Sequence, residues 1–224
     1  MLYYNYSKDQ LEEKAEELLR DFDAERLVKV KPIDVYAVIE KCLGVPYDWK
    51  YLTPDQSILG MTAFKSGYAW VWPERYYEDG MLPTKAYFEA GTIVIDSTLT
   101  ETAYHGPENF TVMHEVFHQV LHKRIFAHSN PDYTHITTKD ALYRRRKPMT
   151  PLERCEFQAN TCAAAFLMPR DLVAKTLAEL WHKPKMLRIS NPFHLSVIDE
   201  MANQFSVSRT AMKYRLLNLG LAEE

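Results

Sequence analysis

The residue pattern with the clearest chemical meaning in this chain is a pair of histidines four positions apart, with a glutamate beside the first. His114, Glu115 and His118 form the sequence H-E-x-x-H inside an apolar run with helical periodicity. Residues four apart on a helix lie about 40° apart around the axis and one turn apart along it, so both imidazoles can bind one metal ion. The glutamate can then hold and deprotonate a water molecule on that metal. The pattern predicts a catalytic metal site, with His114 and His118 as ligands and Glu115 as general base.

The alternative interpretation is an amphipathic helix whose histidines are simply solvated. The glutamate between them and the apolar opposite face of the helix favour the metal site. Thr111 is the predicted N-cap of this helix. His122 continues the series, but it lies about 12 Å along the axis from His114 and is excluded as a third ligand. The longer zinc motif with a third histidine is not present either, since that position is Arg124.

The third ligand is expected from a second helical segment. Thr150, Pro151 and Glu153 have the types and spacing of an N-cap, a first helical residue and a capping-box partner. Because Glu153 then has a capping role, Glu156 is the better candidate ligand, although taken alone it would be interpreted as a surface glutamate. Two histidines and a glutamate, with water in the fourth position, are the ligand set of a catalytic zinc ion. Manganese or iron can occupy the same set.

Asn160 lies one turn after Glu156 on the same predicted helix. Its side-chain oxygen is expected to accept a hydrogen bond from the second ring nitrogen of a ligand histidine and so to fix the tautomer of that ring. The small residues 163–165 would allow this helix to approach the H-E-x-x-H helix closely.

At these residues the chain resembles the ImmA/IrrE-type metallopeptidases. The matching segments follow the family's order along the chain, and they are residues 33–44, 92–96, 110–118, 156–160, 163–169 and 205–212. By this resemblance His114, His118 and Glu156 would bind zinc, and Glu115 would act as general base. The resemblance also implies an intracellular protease, and several members of the family cleave a helix-turn-helix transcriptional repressor.

The chain departs from the family pattern at two places. Phe117 stands where the family often has glycine, so the back of the helix must accommodate a bulky ring. The stretch between His118 and Glu156 is longer than usual, which leaves the choice of substrate open.

The elements that must position these residues are predicted as an α+β fold with a zincin-like metallopeptidase core. In that core a small antiparallel sheet packs on the H-E-x-x-H helix and on the second, ligand-bearing helix. Ahead of the sheet, one helix is expected over residues 7–25 and another from Pro32 to Gly44. Three or four antiparallel strands are predicted between Val45 and Asp96, where β-branched and aromatic runs alternate with proline and glycine.

Two further expectations concern the strand region. Its aromatic side chains are interpreted as packing in the core and on the sheet faces, rather than as a platform for stacking nucleic-acid bases. The strand at 92–96 is expected to line the cleft, where an extended peptide would add as a further strand.

The polar segment from His122 to Thr150 has two possible roles. It can be a lid over the zinc, with Tyr133 or His135 stabilising the oxyanion, or an ordinary solvated insertion. The insertion is favoured for the basic run 144–147, because runs of charge are usually solvated.

The predicted organisation is a metallopeptidase domain over 1–183 and a helical, helix-turn-helix-like segment over 184–224. Helices are expected at 171–181, at 196–205 and from an N-cap at Ser208 to Gly220, with Arg209, Lys213 and Arg215 available to face phosphate. Acidic residues in the same segment argue against direct DNA binding. These helices are expected to pack on the catalytic domain or to shape substrate docking.

Composition limits the class of protein. With 224 residues, 46% of them hydrophobic, the chain can bury a full core. A net charge of −3 gives no overall attraction to nucleic acid. The sequence shows no signal peptide or membrane span, and its three cysteines lack metal-site spacing. A cytoplasmic protein without membrane association is predicted.

Two functions follow from these patterns. The first is a zinc-dependent endopeptidase acting on a protein substrate, with a helix-turn-helix repressor as one candidate. The second is a metal-containing binding or regulatory module that acts through its C-terminal helices on DNA or a protein partner. Glu115 favours the first, because a purely structural metal site needs no base.

Overall fold

The computed structural model describes residues 4–73, 81–127, 134–138, 149–182 and 186–224, with only the backbone path over 134–138. Its α-helices are α1 (Lys8–Asp23), α2 (Val35–Val38), α3 (Gly106–Ala127), α4 (Pro151–Leu167), α5 (Arg170–Leu180), α6 (Pro192–Gln204) and α7 (Arg209–Asn218). Its strands are β1 (Tyr47–Lys50), β2 (Ile58–Ala63), β3 (Gly67–Val71), β4 (Thr84–Phe88), β5 (Ile93–Asp96), β6 (Thr134–Thr138), β7 (Leu187–Arg188) and β8 (Ala222–Glu223). The predicted α+β class is confirmed. None of the described helices is long and apolar enough to cross a membrane.

The second predicted helix begins later than expected. Its first residue is Val35 rather than Pro32, because the Asp34 side chain accepts hydrogen bonds from the backbone of the next turn and caps the helix there. The helix continues as a π-helical turn and ends at Gly44, as predicted, where φ is 61°. Glycine adopts this left-handed conformation without steric cost.

The main sheet has four strands in the order β1-β5-β2-β6. β2 is antiparallel to β5 and β6, but β1 and β5 are parallel, so the prediction of an all-antiparallel sheet is wrong for that pair. A parallel pair requires a long crossover connection, and here that connection contains β2 and the β3–β4 hairpin. β5 lies between two hydrogen-bonded neighbours and offers no free edge to a peptide, so addition of a peptide strand elsewhere in the cleft stays a prediction.

The two faces of the main sheet pack against different elements. Ile93 and Ile95 belong to the large core that also contains α3 and α4. On the opposite face, Met61 and Val94 pack with residues of the β3–β4 hairpin. Because side chains alternate along a strand, Gly60 and Thr62 of β2 face α3. Both residues lie against Glu115 of that helix.

Three aromatic residues of the hairpin, Tyr68, Trp70 and Tyr87, lie on its outer face and remain exposed, whereas Phe88 is buried in the core on its inner face. Tyr68 and Tyr87 form a cross-strand pair with ring centroids 5.3 Å apart. Lys85 Nζ lies 5.1 Å from the centre of the Trp70 ring. The predicted sheet-face packing thus occurs on the solvent side, whereas Ala69 and Ala86 face inward.

The C-terminal helices α6 and α7 share a hydrophobic core with α3. Buried side chains of α6 and α7, including Met201 and Leu216, belong to the same hydrophobic cluster as Val116 of α3. At the start of α3, Asn109 Nδ2 donates to the Ser206 carbonyl oxygen at 2.9 Å. The expected packing of this segment on the rest of the chain is therefore present, while a domain boundary at 183/184 stays a prediction.

Two of the three C-terminal cations predicted to be available for phosphate form ion pairs within the fold. Arg209 pairs with Asp199 of α6. Arg215 is buried, and its guanidinium pairs with Glu12 of α1 and donates through Nε to a backbone carbonyl oxygen. This arrangement ties α7 to α1 and uses the charges of both arginines within the fold.

Removal of Glu12 is expected to destabilise the fold strongly. A Glu12→Ala substitution would leave the buried Arg215 without its carboxylate, and loss of one partner of a buried pair costs about 3–5 kcal/mol. Chemical denaturation would measure this decrease in the free energy of unfolding. Glu13→Ala, at an exposed neighbour on α1, is the matched control with an expected change within about 0.5 kcal/mol. Equal effects of the two substitutions would contradict a structural role for the pair.

Candidate metal centre

α3 carries the two histidines and the glutamate of the motif, and all three side chains are buried. The helix begins at Gly106, so the predicted N-cap at Thr111 is wrong. Pro107 fits the first helical turn, and Thr111 is an interior residue whose hydroxyl donates to the Pro107 carbonyl oxygen at 3.0 Å. His114 and His118 stand one turn apart, with their Nε2 atoms 2.8 Å from each other.

α4 brings Glu156 to the same point. The helix starts with the predicted capping box, in which Thr150 and Glu153 each accept a hydrogen bond from the other's backbone nitrogen. α4 packs against α3, and the small side chain of Ala163 is fully buried in the core that they share. Glu156 Oε2 lies 3.2 Å from His114 Nε2, and its Oε1 lies 3.6 Å from the other histidine's Nε2.

The three side chains fit a divalent metal ion. One ligand atom from each of His114, His118 and Glu156 lies within 4.8 Å of the other two. Ligand atoms around a tetrahedral zinc ion, at about 2.0–2.1 Å from it, are about 3.3 Å apart. The separations of 2.8, 3.2 and 3.6 Å bracket that value. Among the described residues, no fourth acidic, cysteine or histidine side chain joins this group, so a solvent ligand can complete it.

The electrostatics of the site favour a positive charge between the histidines and the carboxylates. Burial disfavours protonation of His114, but the hydrogen bond and charge of Glu156, with the charge of Glu115, outweigh burial and raise the pKa of His114. Burial and the neighbouring rings of His114 and His122 hold the pKa of His118 well below its usual value. One histidine is therefore neutral, and the other lies beside carboxylates that also attract a cation.

Asn160 contacts one of the two candidate ligand histidines, His114. Its Oδ1 lies 2.8 Å from His114 Nδ1. When that nitrogen carries the ring proton, it donates a hydrogen bond to Asn160, and the His114 Nε2 lone pair then faces Glu156 and His118. The role in fixing the tautomer stays a prediction, and the geometry that it requires is present.

Glu115 lies against two residues of β2 that the sequence did not identify as part of the site. The Thr62 hydroxyl donates to Glu115 Oε2 at 2.6 Å. A Cβ atom at Gly60 would lie 2.8 Å from Glu115 Oε1 and 2.8 Å from Thr111 Cγ2, closer than real Cβ contacts allow. Glycine therefore permits the strand to approach the glutamate closely. No local pattern links β2 to α3, because these contacts join residues far apart in the chain.

His122 also takes part in the site, although not as a ligand. Its Nδ1 lies 2.9 Å from His118 Nδ1, and its Nε2 lies 3.0 Å from Gln158 Oε1. Burial lowers the pKa of His122 to about 4, so this ring is neutral at physiological pH. The exclusion of His122 from the ligand set agrees with the geometry, but its contact with a ligand histidine was missed.

Several predicted features lie outside the described residues. These are Tyr133, the side chain of His135 and the basic run 144–147, so the lid and the oxyanion donor stay predictions. The backbone at 134–138 forms strand β6, which no sequence pattern had indicated. The bulky Phe117 is fully buried on the back of α3, where its ring meets Phe166 edge-on at 6.1 Å.

Comparison with known families gives one match. A family model described as Peptidase_M78, the IrrE N-terminal-like domain, matches residues 75–217. The matched region spans more than half of the chain and includes α3, α4 and the C-terminal helices α5 and α6. Comparison with curated proteins gives no match. The resemblance to the ImmA/IrrE-type peptidases is confirmed.

Proposed function

Because the chain belongs to the IrrE N-terminal-like peptidase family, we propose that it is a zinc-dependent endopeptidase that hydrolyses peptide bonds of a protein substrate. The observation that supports this most is the convergence of His114, His118 and Glu156 on one buried point, with Glu115 on the same helix. Two histidines, one carboxylate and a position for solvent form a catalytic rather than a structural ligand set. Zinc bound there supplies a Lewis acid that acidifies water and polarises a carbonyl group.

The proposal includes a zincin-like arrangement of the core. α3 packs on β2 and β5 and also on α4, so the candidate metal ligands come from two helices. The base Glu115 accepts a hydrogen bond from Thr62 of the sheet. Side chains that are locked by packing on regular elements hold a catalytic geometry more accurately than side chains on loops.

The residues of the chain have distinct roles in the proposed reaction. Glu115 takes the proton from the attacking water and then gives it to the amine that leaves. The Thr62 hydroxyl donates to Oε2 of this carboxylate at 2.6 Å, and this hydrogen bond fixes the orientation of the carboxylate. Asn160 holds the ring of His114 with its Nε2 lone pair directed into the site.

Loss of the Thr62 hydroxyl is expected to slow hydrolysis without loss of metal. Thr62→Val keeps the shape of the side chain and removes its donor. A hydrogen bond to a charged group contributes about 1.5–3 kcal/mol, so kcat should fall about 10- to 100-fold. The measurement is kcat together with zinc content, and Thr62→Ser is the control that retains the hydroxyl. A valine variant with the full rate would show that Thr62 does not position the base.

The substrate that we propose to test first is a helix-turn-helix transcriptional repressor, the class that the family resemblance implies. The experiment is to incubate the zinc-loaded protein with a proteome whose amino termini have been blocked and to map new termini by mass spectrometry. New termini in a small set of proteins, one of them a repressor, are expected with the wild type and not with Glu115→Gln. Identical termini in both reactions would contradict a peptidase function.

We also propose a cytoplasmic location. All three cysteines are free thiols, and burial raises the pKa of Cys155 to about 11. Thiols that stay protonated and form no disulfide suit a reducing compartment.

The alternative of a regulatory module that acts on DNA through its C-terminal helices has less support. Arg209 and Arg215 form ion pairs inside the fold, and the second of these is buried. A positive surface free to meet phosphate is the requirement for such binding.

A further inference from the structure

A series of hydrogen bonds connects the Tyr4 backbone to the metal-ligand candidate His118. It starts at the Tyr4 carbonyl oxygen, which accepts from Gln158 Nε2 at 2.7 Å. Gln158 Oε1 then meets His122 Nε2 at 3.0 Å, and His122 Nδ1 meets His118 Nδ1 at 2.9 Å. Gln158 and His122 are both buried, and the proposed proton transfers do not use either of them.

The Tyr4 carbonyl oxygen sets the donor and the acceptor of every hydrogen bond in this series. A backbone carbonyl oxygen can only accept, so the amide nitrogen of Gln158 must face Tyr4 and its oxygen must face His122. An amide oxygen also only accepts, so His122 must carry its proton on Nε2. In a neutral His122 ring, Nδ1 is then a lone pair, and it must accept from His118 Nδ1. The remaining nitrogen of His118, Nε2, is left as a lone pair.

That remaining nitrogen is the atom that lies 2.8 Å from His114 Nε2 and 3.6 Å from Glu156 Oε1. We propose that His122 and Gln158 are positioning residues, which fix His118 in the one neutral tautomer able to bind metal through Nε2. This inference rests on the proposed zinc site. Without these hydrogen bonds, His118 would also populate the tautomer with its proton on Nε2. Metal binding would then first have to remove that proton.

Residues at alternate positions of α4 orient both candidate ligand histidines. Glu156 faces the metal position, Gln158 orients His118 through His122, and Asn160 contacts His114 directly. Outer partners of this kind raise metal affinity about 10- to 100-fold by holding ligands ready. A simple packing role for His122 would not depend on a hydrogen-bond acceptor at Nδ1.

The test compares two substitutions of nearly equal size at His122. His122→Asn places an amide oxygen close to the former Nδ1 position and can still accept from His118, whereas His122→Leu cannot. Gln158→Met is a second variant that removes the donor and acceptor groups but keeps the side-chain length. The zinc dissociation constant of each protein is measured by competition with a chromophoric chelator. Thermal unfolding of the metal-free proteins shows that each one folds.

His122→Leu and Gln158→Met are expected to weaken zinc binding about 10- to 100-fold, and His122→Asn is expected to stay close to the wild type. A leucine variant that binds zinc as tightly as the wild type would overturn the inference. So would an asparagine variant as weak as the leucine variant, since packing rather than hydrogen bonding would then be responsible. A wild-type protein that binds no zinc would instead overturn the proposed function, so the two failures are distinguishable.

Discussion

Glu115→Gln is expected to abolish peptide hydrolysis while zinc stays bound. The substitution keeps the size of the side chain and can keep the hydrogen bond from Thr62, but an amide cannot take a proton from water. General-base catalysis contributes about 10²- to 10⁴-fold, so kcat should fall by that factor. The measurement is the rate of substrate cleavage, with the zinc content of the same sample determined by mass spectrometry.

Glu179→Gln, on the exposed side of α5, is the matched control for this substitution and should keep the full rate. A Glu115→Gln protein that still cleaves at the wild-type rate would remove this residue from the mechanism. A variant that loses its zinc as well would instead show that the glutamate helps to bind the ion.

Glu156→Ala is expected to remove the metal. Glu156 supplies the only negative charge in the candidate ligand group, and its carboxylate lies 3.2 Å from His114 Nε2. Loss of a ligand should lower zinc affinity by more than the roughly 10- to 100-fold that accompanies loss of an outer partner. The zinc dissociation constant measures this effect. The shift in melting temperature on adding zinc gives a second readout, because a bound ion stabilises the folded state.

Glu156→Gln separates the loss of charge from the loss of volume at this position, and it should also bind zinc weakly. Glu153→Gln, at the capping-box position of the same helix, is the comparison variant and should retain zinc. Equal zinc binding by the wild type and Glu156→Ala would mean that the third ligand has been assigned wrongly.

The features that could be predicted from the sequence are those whose signals lie within a few residues. The capping box at Thr150 and Glu153 and the left-handed helix end at Gly44 are present as predicted. The spacing of His114 and His118 placed both rings on one face because the helix repeat dictates it. Glu156 is predicted as the third ligand because the other glutamate of that helix turn, Glu153, has a capping role. The structure brings Glu156 to the same point as the two histidines.

The features that could not be predicted depend on contacts between distant parts of the chain. Thr62 meets Glu115 across 53 positions, and Gln158 meets the Tyr4 carbonyl oxygen across 154 positions. No periodicity or short motif encodes such pairs. The parallel pairing of β1 with β5 has the same origin, because two runs of similar composition can pair in either direction.

Helix starts were the least predictable local feature because several residues compete as caps. Thr111 has the right type for an N-cap, but the helix continues past it towards the N-terminus, to Gly106 and Pro107. A Cβ atom at Gly106 would lie 2.7 Å from the Ser208 backbone nitrogen, so glycine there allows the C-terminal segment to approach. The tertiary contact, rather than local preference, therefore fixes where α3 begins.

Anomalous diffraction at the zinc edge, from crystals of the zinc-loaded protein, would locate the ion directly. One peak is expected about 2.0–2.2 Å from His114 Nε2, His118 Nε2 and a Glu156 carboxylate oxygen, with solvent as the remaining ligand. A peak elsewhere, or an ion closed off by a fourth protein side chain, would contradict a catalytic zinc site at these residues.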